Sequence, residues 1–240
     1  MRVLVISDIH ANANALQTVL QEAGSVDAVW CLGDVVGYGP DPNECVSLIA
    51  GLPNLVCLQG NHDAAAVGAL SLDGFNAEAR SSIEWLREQL SPSSVGFLKK
   101  LEPRREVDGI TLTHASPRQP ILEYLLDTFS AAENFSYFGT DFCLVGHTHV
   151  PVLFILNDKG IHLQIPEANQ IYTLERRTIA NPGSVGQPRD RDPRAAFAIY
   201  EDQTNKWDYR RIAYDVENVQ ERMRSAGLPE RHIARLTVGW

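Results

Sequence analysis

The first 60 residues alternate short apolar runs with amphipathic segments, and this order limits the folds open to the chain. Three runs predict buried strands, and they cover Arg2–Ser7, Asp27–Leu32 and Asn54–Gln59. Helical spacing between them predicts one helix that ends at Gly24 and a second that ends at Gly51. The stretch Asp41-Pro42-Asn43-Glu44 reads as the capping box of the second helix. A β-α-β-α-β order with short connections predicts a largely parallel sheet, with functional loops at the carboxyl ends of its strands.

In the remainder of the chain, the pattern of predicted helices and strands changes at Pro151. Before it, we expect helices over Phe75–Leu90, Ser91–Leu101 and Ile121–Phe138, paired short strands within Glu106–Thr113, and a strand over Asp141–Val145. After it, we expect six short strands and a closing helix over Val216–Ala226. The six strands are Val152–Leu156, Ile161–Ile165, Ile171–Leu174, Thr178–Ala180, Ala195–Glu201 and Lys206–Ile212. A parallel first half and an antiparallel second half predict an α/β fold with two sheets in one sandwich, helices outside, in a single domain over residues 1–240.

Composition restricts the partners. The chain of 240 residues is 44% hydrophobic, enough for a substantial core, and its formal net charge is −9. No Lys/Arg-rich patch is present, so an extended nucleic acid is not an expected partner, because such binding neutralises many phosphates. A small phosphorylated substrate stays open, since bound metal ions can supply local positive charge.

The cysteines and the N-terminus bear on location. The four cysteines lie in apolar runs without CxxC spacing and are expected to be reduced core thiols. The N-terminal apolar stretch is too short for a signal peptide, and no run approaches the length of a membrane span. We therefore expect a cytoplasmic protein that has no membrane partner, whereas the sequence leaves its oligomeric state open.

Five polar clusters each follow a predicted strand. They are Asp8-Ile9-His10, Gly33-Asp34, Gly60-Asn61-His62-Asp63, His114 and Gly146-His147-Thr148-His149. Any one of these is common in structural roles, but together they contain five of the seven histidines. Strand ends of one sheet meet at one edge, so the clusters predict a single site. Oxygen and imidazole donors without thiolate suit Mn²⁺, Fe or Zn²⁺ in a reactive site better than a structural zinc site.

The five clusters resemble the motif blocks of the calcineurin-like metallophosphoesterases, which run D-x-H, G-D, G-N-H-D/E, H and G-H-x-H in this order. All five blocks are intact, and the resemblance covers residues 1 to about 186. The stretches GDVVGYGPDPNECV and NPGSVGQPRDRDPRA are similar to a prokaryotic subgroup of small phosphoesterases. The resemblance implies a double β-sandwich flanked by α-helices, in α-β-β-α layers, and a metal-dependent phosphoric ester hydrolase.

The resemblance also implies a ligand set for two divalent ions, Mn²⁺ foremost, with Fe, Zn²⁺ or Ni²⁺ as alternatives. One ion would be held by Asp8, His10, Asp34 and His149, and the other by Asp34, Asn61, His114 and His147. Asp34 would bridge, with its two carboxylate oxygens serving both ions. Ions ~3.5–4 Å apart can share a hydroxide and place it for in-line attack on phosphorus. His62 would contact the phosphate and protonate the leaving oxygen, and Asn61 and Arg189 would help to bind the substrate.

One departure separates the chain from the serine/threonine phosphatases, which read G-D-x-x-D-R-G. Here Gly33-Asp34 is followed by Val35-Val36-Gly37-Tyr38, without the later Asp or Arg. This argues against a protein phosphatase and leaves open what supports His62. Tyr38 and Pro40 either wall the pocket or pack in the core.

Residues outside the five blocks allow two interpretations. The glycines of Asn181–Gly186 permit backbone amides to converge on an anion, with an arginine from Arg189, Arg191 or Arg194 extending the grip. A plain glycine turn with solvated arginines is equally open. His162 is expected on the exposed face of a strand, and His232 is expected to be structural in the C-terminal tail.

Three functions are compatible with these residues. The first is hydrolysis of a small phosphodiester or phosphomonoester. The alternative is cleavage of a pyrophosphate bond in a dinucleoside polyphosphate, which the same ion pair could perform. A non-catalytic scaffold on the same fold is third, and the intact ligand set speaks against it.

Overall fold

A computed structural model describes residues 1–240 and contains two six-stranded sheets. The first sheet has the order β3-β2-β1-β11-β12-β9, and the second has the order β4-β5-β6-β10-β7-β8. The strands of the N-terminal half are β1 Arg2–Ile6, β2 Ala28–Cys31, β3 Leu55–Cys57, β4 Arg104–Val107, β5 Ile110–Thr113 and β6 Phe142–Leu144. Those of the C-terminal half are β7 Val152–Asn157, β8 Gly160–Gln164, β9 Gln170–Thr173, β10 Thr178–Asn181, β11 Ala195–Glu201 and β12 Lys206–Ile212.

Eight α-helices and one 3₁₀ turn, Phe135–Tyr137, connect or flank the strands. The helices are α1 Ala13–Ala23, α2 Pro42–Ala50, α3 Asn61–Ala66, α4 Ala77–Gln89, α5 Pro92–Leu98, α6 Thr128–Asn134, α7 Val216–Ser225 and α8 Glu230–Val238. None of these helices has the length and apolar character needed to cross a membrane. The short helix α3 and the last helix α8 were not predicted from the sequence.

Each sheet mixes parallel and antiparallel strands. In the first sheet β1, β2 and β3 are parallel, whereas β11 lies antiparallel to β1. In the second sheet β6 is parallel to both β5 and β10, and β7 is antiparallel to β10. Apart from the predicted β4-β5 hairpin, strands of the N-terminal half pair with one another in parallel, and strands of the C-terminal half pair with one another antiparallel, as predicted. The two halves do not form separate sheets, however, because strands from the C-terminal half complete both sheets by pairing with edges of earlier strands.

The surroundings of β1 explain why apolar and polar residues do not alternate in the first apolar run. Val3 and Val5 belong to a buried cluster that includes residues of both sheets, such as Leu112 of β5. Leu4 and Ile6 belong to a second cluster that includes the apolar faces of α1 and α2. A strand buried on both faces reads as a continuous apolar run. A third cluster joins the second sheet to α6, which confirms the predicted α-β-β-α layers.

Two local predictions about helix starts had different outcomes. The Ser91 hydroxyl accepts a hydrogen bond from Ser94 N and caps α5 as expected. Asp41 precedes α2, but its side chain makes no capping bond to that helix. It accepts from Ala13 N (3.3 Å) and pairs with Arg222, so the predicted capping box is wrong. The carboxylate ties α1, α2 and α7 together instead.

The predicted helix Ile121–Phe138 is also wrong in its first half. Asp127 caps the true start by accepting from Ser130 N at 2.8 Å, and α6 begins at Thr128. Upstream, the Glu123 carboxylate is held by the Ser116 hydroxyl and by Asn134 Nδ2. These side-chain bonds hold residues 121–127 in an irregular conformation despite their helical apolar spacing.

The cysteines are free thiols, as expected. Cys31, Cys45 and Cys143 are buried in the core and Cys57 is half-buried. Burial raises the pKa of the Cys45 thiol well above its usual value.

Candidate metal centre

Loops at the carboxyl ends of five strands bring the five polar clusters to one place. Backbone bonds join the loops after β1 and β2, since Asp8 N donates to Gly33 O (3.0 Å) and His10 N donates to Asp34 O (2.9 Å). The two sheets are joined across the site by His147 N, which donates to Asp8 Oδ2 at 3.0 Å. All seven expected ligands are at most 5% exposed: Asp8, His10, Asp34, Asn61, His114, His147 and His149.

Their donor atoms form two groups that share Asp34. In each group the donor atoms lie within 4.8 Å of one another; the groups are Asp8, His10, Asp34 and His149, and Asp34, His114 and His147. Asp34 Oδ2 lies 3.6 Å from His10 Nε2 and 3.6 Å from His114 Nε2. Asn61 Oδ1 lies 3.1 Å from His114 Nε2, beside the second group. This is the grouping that the sequence blocks imply.

The two oxygens of the Asp34 carboxylate have different partners. Its Oδ1 accepts a hydrogen bond from His62 N at 2.8 Å, so only Oδ2 faces both donor groups. Asp34 Oδ2 is therefore the oxygen that lies near the histidines of both groups. The Oδ1 bond fixes the plane of the carboxylate and couples it to the start of α3.

Backbone carbonyls orient three of the histidines. The Nδ1 atoms of His10, His114 and His149 lie 3.3, 2.8 and 2.6 Å from the carbonyl oxygens of Val36, Leu32 and Gln187. A carbonyl can only accept, which assigns the proton to Nδ1 and leaves each Nε2 as a lone-pair donor. Such outer contacts are typical of metal-binding histidines.

Several buried donor atoms in the centre have no protein partner. Asp8 Oδ1, Asp34 Oδ2 and His147 Nε2 make no hydrogen bond, and His10 Nε2 faces His149 Nε2 at 3.0 Å. Buried polar atoms without partners are rare in folded proteins because they cost free energy. Cations placed among these atoms would satisfy all of them, so the donor set fits divalent metal ions.

The electrostatics of the metal-free protein point the same way. Burial, with a smaller contribution from Asp34, raises the pKa of Asp8 to about 7. Burial and the neighbouring Asp63 raise the pKa of Asp34 well above its usual range, while burial lowers the pKa of His10 and His149. The buried site thus disfavours charge on its own groups, and bound cations would stabilise the carboxylates in their ionised form.

Most of the ligand positions carry an unusual backbone. Left-handed φ angles occur at Asp8 (54°), His10 (50°), Asp34 (54°), His147 (65°) and His149 (60°). Such conformations in residues other than glycine cost about 1–3 kcal/mol each and persist only where the surroundings impose them. The turn after each strand therefore aims its side chain inward at an energetic cost.

The loop Asn181–Gly186 provides part of that support. Ser184 Oγ donates to Asp8 O at 2.7 Å, and Asn181 Nδ2 donates to Gly146 O at 2.8 Å. The amides of Val185 and Gly186 donate to Ser7 O and Asp8 O, each at 3.0 Å. Because these amides are already used, the structure favours the second of the two interpretations, a glycine turn, over an anion site built from this loop's backbone. The loop Asn181–Gly186, called the clamp below, holds the turns that carry Asp8 and His147 in place.

Of the three arginines that follow the loop, only Arg189 faces the centre. Its guanidinium donates to Gln187 Oε1 (3.0 Å) and Tyr38 Oη (3.3 Å), and it forms no ion pair. Its buried Nε has no partner. Arg194 pairs with Asp192 at 2.6 Å, and Arg191 is exposed. An unpaired cation beside the donor groups is suited to an anionic ligand.

His62 is supported by packing and not by a carboxylate. Its ring centroid lies 4.4 Å from that of Tyr38, 4.9 Å from His10 and 5.3 Å from Phe75, and its Nδ1 makes no hydrogen bond. Gly37 leaves room for it, since a Cβ at Gly37 would lie 2.7 Å from His62 Nδ1. Burial, followed by the Arg189 charge, lowers the pKa of His62 well below its usual value.

A cavity of about 490 Å³ opens beside His62 and His147. Its wall includes Tyr38 but not Pro40, so Tyr38 lines the pocket. Phe75, Leu122 and Tyr124 also line it and were not singled out from the sequence, because nothing in their local pattern distinguishes them from core positions. The remaining lining residues are Asn61, His62, Leu70, Ser71, Gly74, Asn76, Ala79 and His147.

The two histidines outside the clusters have different environments. His162 is exposed on β8, as expected. His232 lies on the unpredicted helix α8, is only 1% exposed, and packs with its ring 4.5 Å from that of Tyr38. It therefore lies on the buried face of an amphipathic helix and not in a tail, and neither of its ring nitrogens makes a hydrogen bond.

Comparisons with known proteins agree with the site. Residues 1–205 match the model of the calcineurin-like phosphoesterase superfamily domain. The chain is 36% identical over 244 residues to an uncharacterised protein of Methanocaldococcus jannaschii, covering 99% of this chain and 98% of that protein. The crystal structure of a metallophosphoesterase from Sphaerobacter thermophilus is 45% identical with a TM-score of 0.92, over 100% of this chain and 99% of that one.

A more distant match concerns a protein with a named substrate. A symmetrical bis(5'-nucleosyl)-tetraphosphatase of Pseudomonas entomophila is 28% identical over 125 residues, which span 48% of this chain and 42% of that protein. The family model and the two full-length relatives cover far more of the chain. The chain belongs to the calcineurin-like phosphoesterase superfamily and is a hydrolase of phosphoric esters.

Proposed function

We propose that the protein hydrolyses small phosphodiesters or phosphomonoesters with two divalent metal ions, Mn²⁺ being the expected species. The observation that carries the proposal is the pair of buried donor groups that share Asp34 Oδ2. Asp8, His10, Asp34 and His149 would hold one ion, and Asp34, Asn61, His114 and His147 would hold the other. When bound, such ions polarise the phosphoryl group and lower the pKa of water.

The residues of the chain have separate tasks in this proposal. The carbonyl contacts of His10, His114 and His149 keep each Nε2 aimed at the centre before any ion arrives. Arg189, which has no acidic partner, pairs with a phosphate oxygen, and Asn61 contacts the substrate from the start of α3. No serine or cysteine nucleophile is required.

His62 is the proposed general acid. It lines the cavity beside the donor groups, so its ring can reach the oxygen that leaves phosphorus. Burial keeps the imidazole neutral at pH 7 in the free protein. The negative charge of a bound phosphate favours the imidazolium, so the proton is taken up together with the substrate.

The alternatives are weaker. Cleavage of dinucleoside polyphosphates is favoured only by the partial match to the tetraphosphatase. A non-catalytic scaffold would not need the unpartnered donor atoms of Asp8, Asp34 and His147. We further propose that residues 1–240 act as one domain, because β11 from the C-terminal half pairs with β1.

The first experiment tests the shared ligand. Chelator-stripped protein should not hydrolyse an aryl phosphate, and Mn²⁺ should restore the activity. Asp34→Asn removes the negative charge on the shared oxygen, so metal content and activity should both collapse. Asp158→Asn, in the exposed turn between β7 and β8, is the matched control and should retain both. Full activity of stripped protein, or two ions still bound to Asp34→Asn, would refute the two-ion site.

The second experiment separates His62 from the ligands. His62→Ala should keep both ions. Its rate of hydrolysis should fall most for esters whose leaving oxygen needs a proton, since a general acid raises the rate of such reactions ~10²–10⁴-fold. The loss should be large for alkyl esters and small for nitrophenyl esters, because nitrophenolate leaves without protonation. His162→Ala, an exposed histidine on β8, is the control. Equal losses on both esters with metal retained would exclude the acid role.

A further inference from the structure

The cavity beside His62 differs from the rest of the site in its chemistry. None of its lining residues is an Asp, Glu, Lys or Arg. Six of them present apolar or aromatic surface: Tyr38, Leu70, Phe75, Ala79, Leu122 and Tyr124. Its volume of about 490 Å³ falls in the range of pockets that bind small organic ligands. The cavity therefore suits a neutral group of that size.

Two aromatic rings of the cavity wall contact residues that the proposed function uses. Phe75 meets the ring of His62 edge-on, with centroids 5.3 Å apart. Tyr124 stacks on His147, with centroids 4.1 Å apart and planes inclined by 36°. A group that lies between these walls is next to both the proposed acid and the second donor group. With His62 as the proposed acid, this is the side on which the leaving oxygen would depart.

The exposure of these walls gives a reason to bind an apolar group. Leu122 is 49% exposed and Tyr124 is 48% exposed, so both still have apolar surface to cover. Removing such surface from water is favourable by roughly 25 cal/mol per Å². At the rim, Asn76 Oδ1 accepts from Ala79 N (2.9 Å), which leaves the Asn76 amide nitrogen without a protein partner. A ring that carries a carbonyl matches this arrangement.

We propose that this cavity is a leaving-group subsite for an uncharged aromatic group of nucleoside size. The proposal rests on the proposed function, because it needs a phosphate held at the donor groups. A polyphosphate chain is a poorer fit, because no lining residue is cationic and Arg189, which contacts Tyr38, is already assigned to the phosphate at the donor groups, so that further charges would be buried unpaired. The substrate class is thus a nucleoside monophosphate ester, and not a dinucleoside polyphosphate.

The test compares two esters with the same leaving oxygen, thymidine 5′-monophosphate and 2-deoxyribose 5-phosphate, in Mn²⁺-loaded protein. Stacking of one base predicts a kcat/KM about tenfold or more higher for the nucleotide. Phe75→Ala should reduce that ratio toward one, and Phe75→Leu, which keeps the apolar volume, should reduce it in part. Phe129→Ala removes a ring that is 74% exposed outside the cavity and should leave the ratio unchanged.

The outcomes are distinguishable. Equal kcat/KM for the two esters, or an unchanged ratio in both Phe75 variants, would overturn the subsite and leave the proposed function standing. Faster cleavage of a dinucleoside tetraphosphate or of a phosphotyrosine peptide than of thymidine 5′-monophosphate would also overturn it. If neither sugar phosphate nor nucleotide is hydrolysed with any divalent ion, the proposed function itself fails.

Discussion

Replacing Gly37 with alanine tests how tightly the site is packed around His62. A Cβ at this position would lie 2.7 Å from His62 Nδ1 and 2.9 Å from His10 Nδ1, closer than such atoms approach in folded proteins. The φ angle of Gly37 is also +120°, where an alanine is strained. Two costs therefore combine in Gly37→Ala, one from the backbone and one from the two rings.

Gly160→Ala separates the two costs. Gly160 has a φ of +107°, but nothing lies within 4 Å of its would-be Cβ. Backbone strain of about 1–3 kcal/mol applies to both variants. Overpacking adds about 1–3 kcal/mol to Gly37→Ala alone. The expected difference in the free energy of unfolding between the two variants is therefore about 1–3 kcal/mol.

The assay is urea unfolding of chelator-treated protein, with hydrolysis of an alkyl phosphate measured on metal-loaded samples. Gly160→Ala should lose stability but keep its activity. Gly37→Ala should lose more stability and most of its activity, because His62 and His10 must move. Equal unfolding free energies in the two variants, or full activity of Gly37→Ala, would refute the packing argument.

Three further predictions concern stability and substrate range. Ser184→Ala should cost about 1–3 kcal/mol by leaving buried backbone groups of the clamp unpaired, whereas Ser25→Ala on the surface should be neutral in the same unfolding assay. Burial lowers the pKa of His232 to about 4, so the unfolded chain takes up its proton first as pH falls below 6.5. Up to about 3 kcal/mol of stability should be lost toward pH 4 on this account, and unfolding of His232→Phe should show a shallower pH dependence. The net charge of −9 predicts faster turnover of small esters than of long duplex DNA at physiological salt; efficient DNA cleavage would contradict this.

The ligand positions could be predicted because they lie in short blocks directly after apolar runs. Asp8 and Asp34 follow strands that are buried on both faces, and such strands can be recognised in a sequence as unbroken runs of apolar residues. The grouping of the donors into two sets came from the resemblance to the family's motif blocks, because the histidines after β5 and β6 belong to the second sheet and share no sheet edge with Asp8 and Asp34. The cytoplasmic location and the identity of the metal stay predictions.

The features of the fold and the site that could not be predicted depend on contacts between residues far apart in the sequence. Arg189 was named as a substrate contact, but no local pattern separates it from Arg191 or Arg194, and the contact with Tyr38 is what sets it apart in the structure. The segment 121–127 has helical spacing, yet Glu123 is held by bonds to Ser116 and Asn134. Long-range hydrogen bonds outweighed local propensity there, and no local pattern reports them.

The pairing of β1 with β11 has a consequence for how the chain is made. β1 ends at Ile6, but the strand that covers its second edge begins only at Ala195. At a synthesis rate of about 5–20 residues per second, the interval between them is roughly 10–40 s. Throughout that time β1, whose residues Val3–Ile6 are buried in the finished protein, has one unpaired edge, and unpaired strand edges favour aggregation. A nascent chain that has not reached β11 therefore already contains all seven expected ligands, but the second edge of β1 is still uncovered.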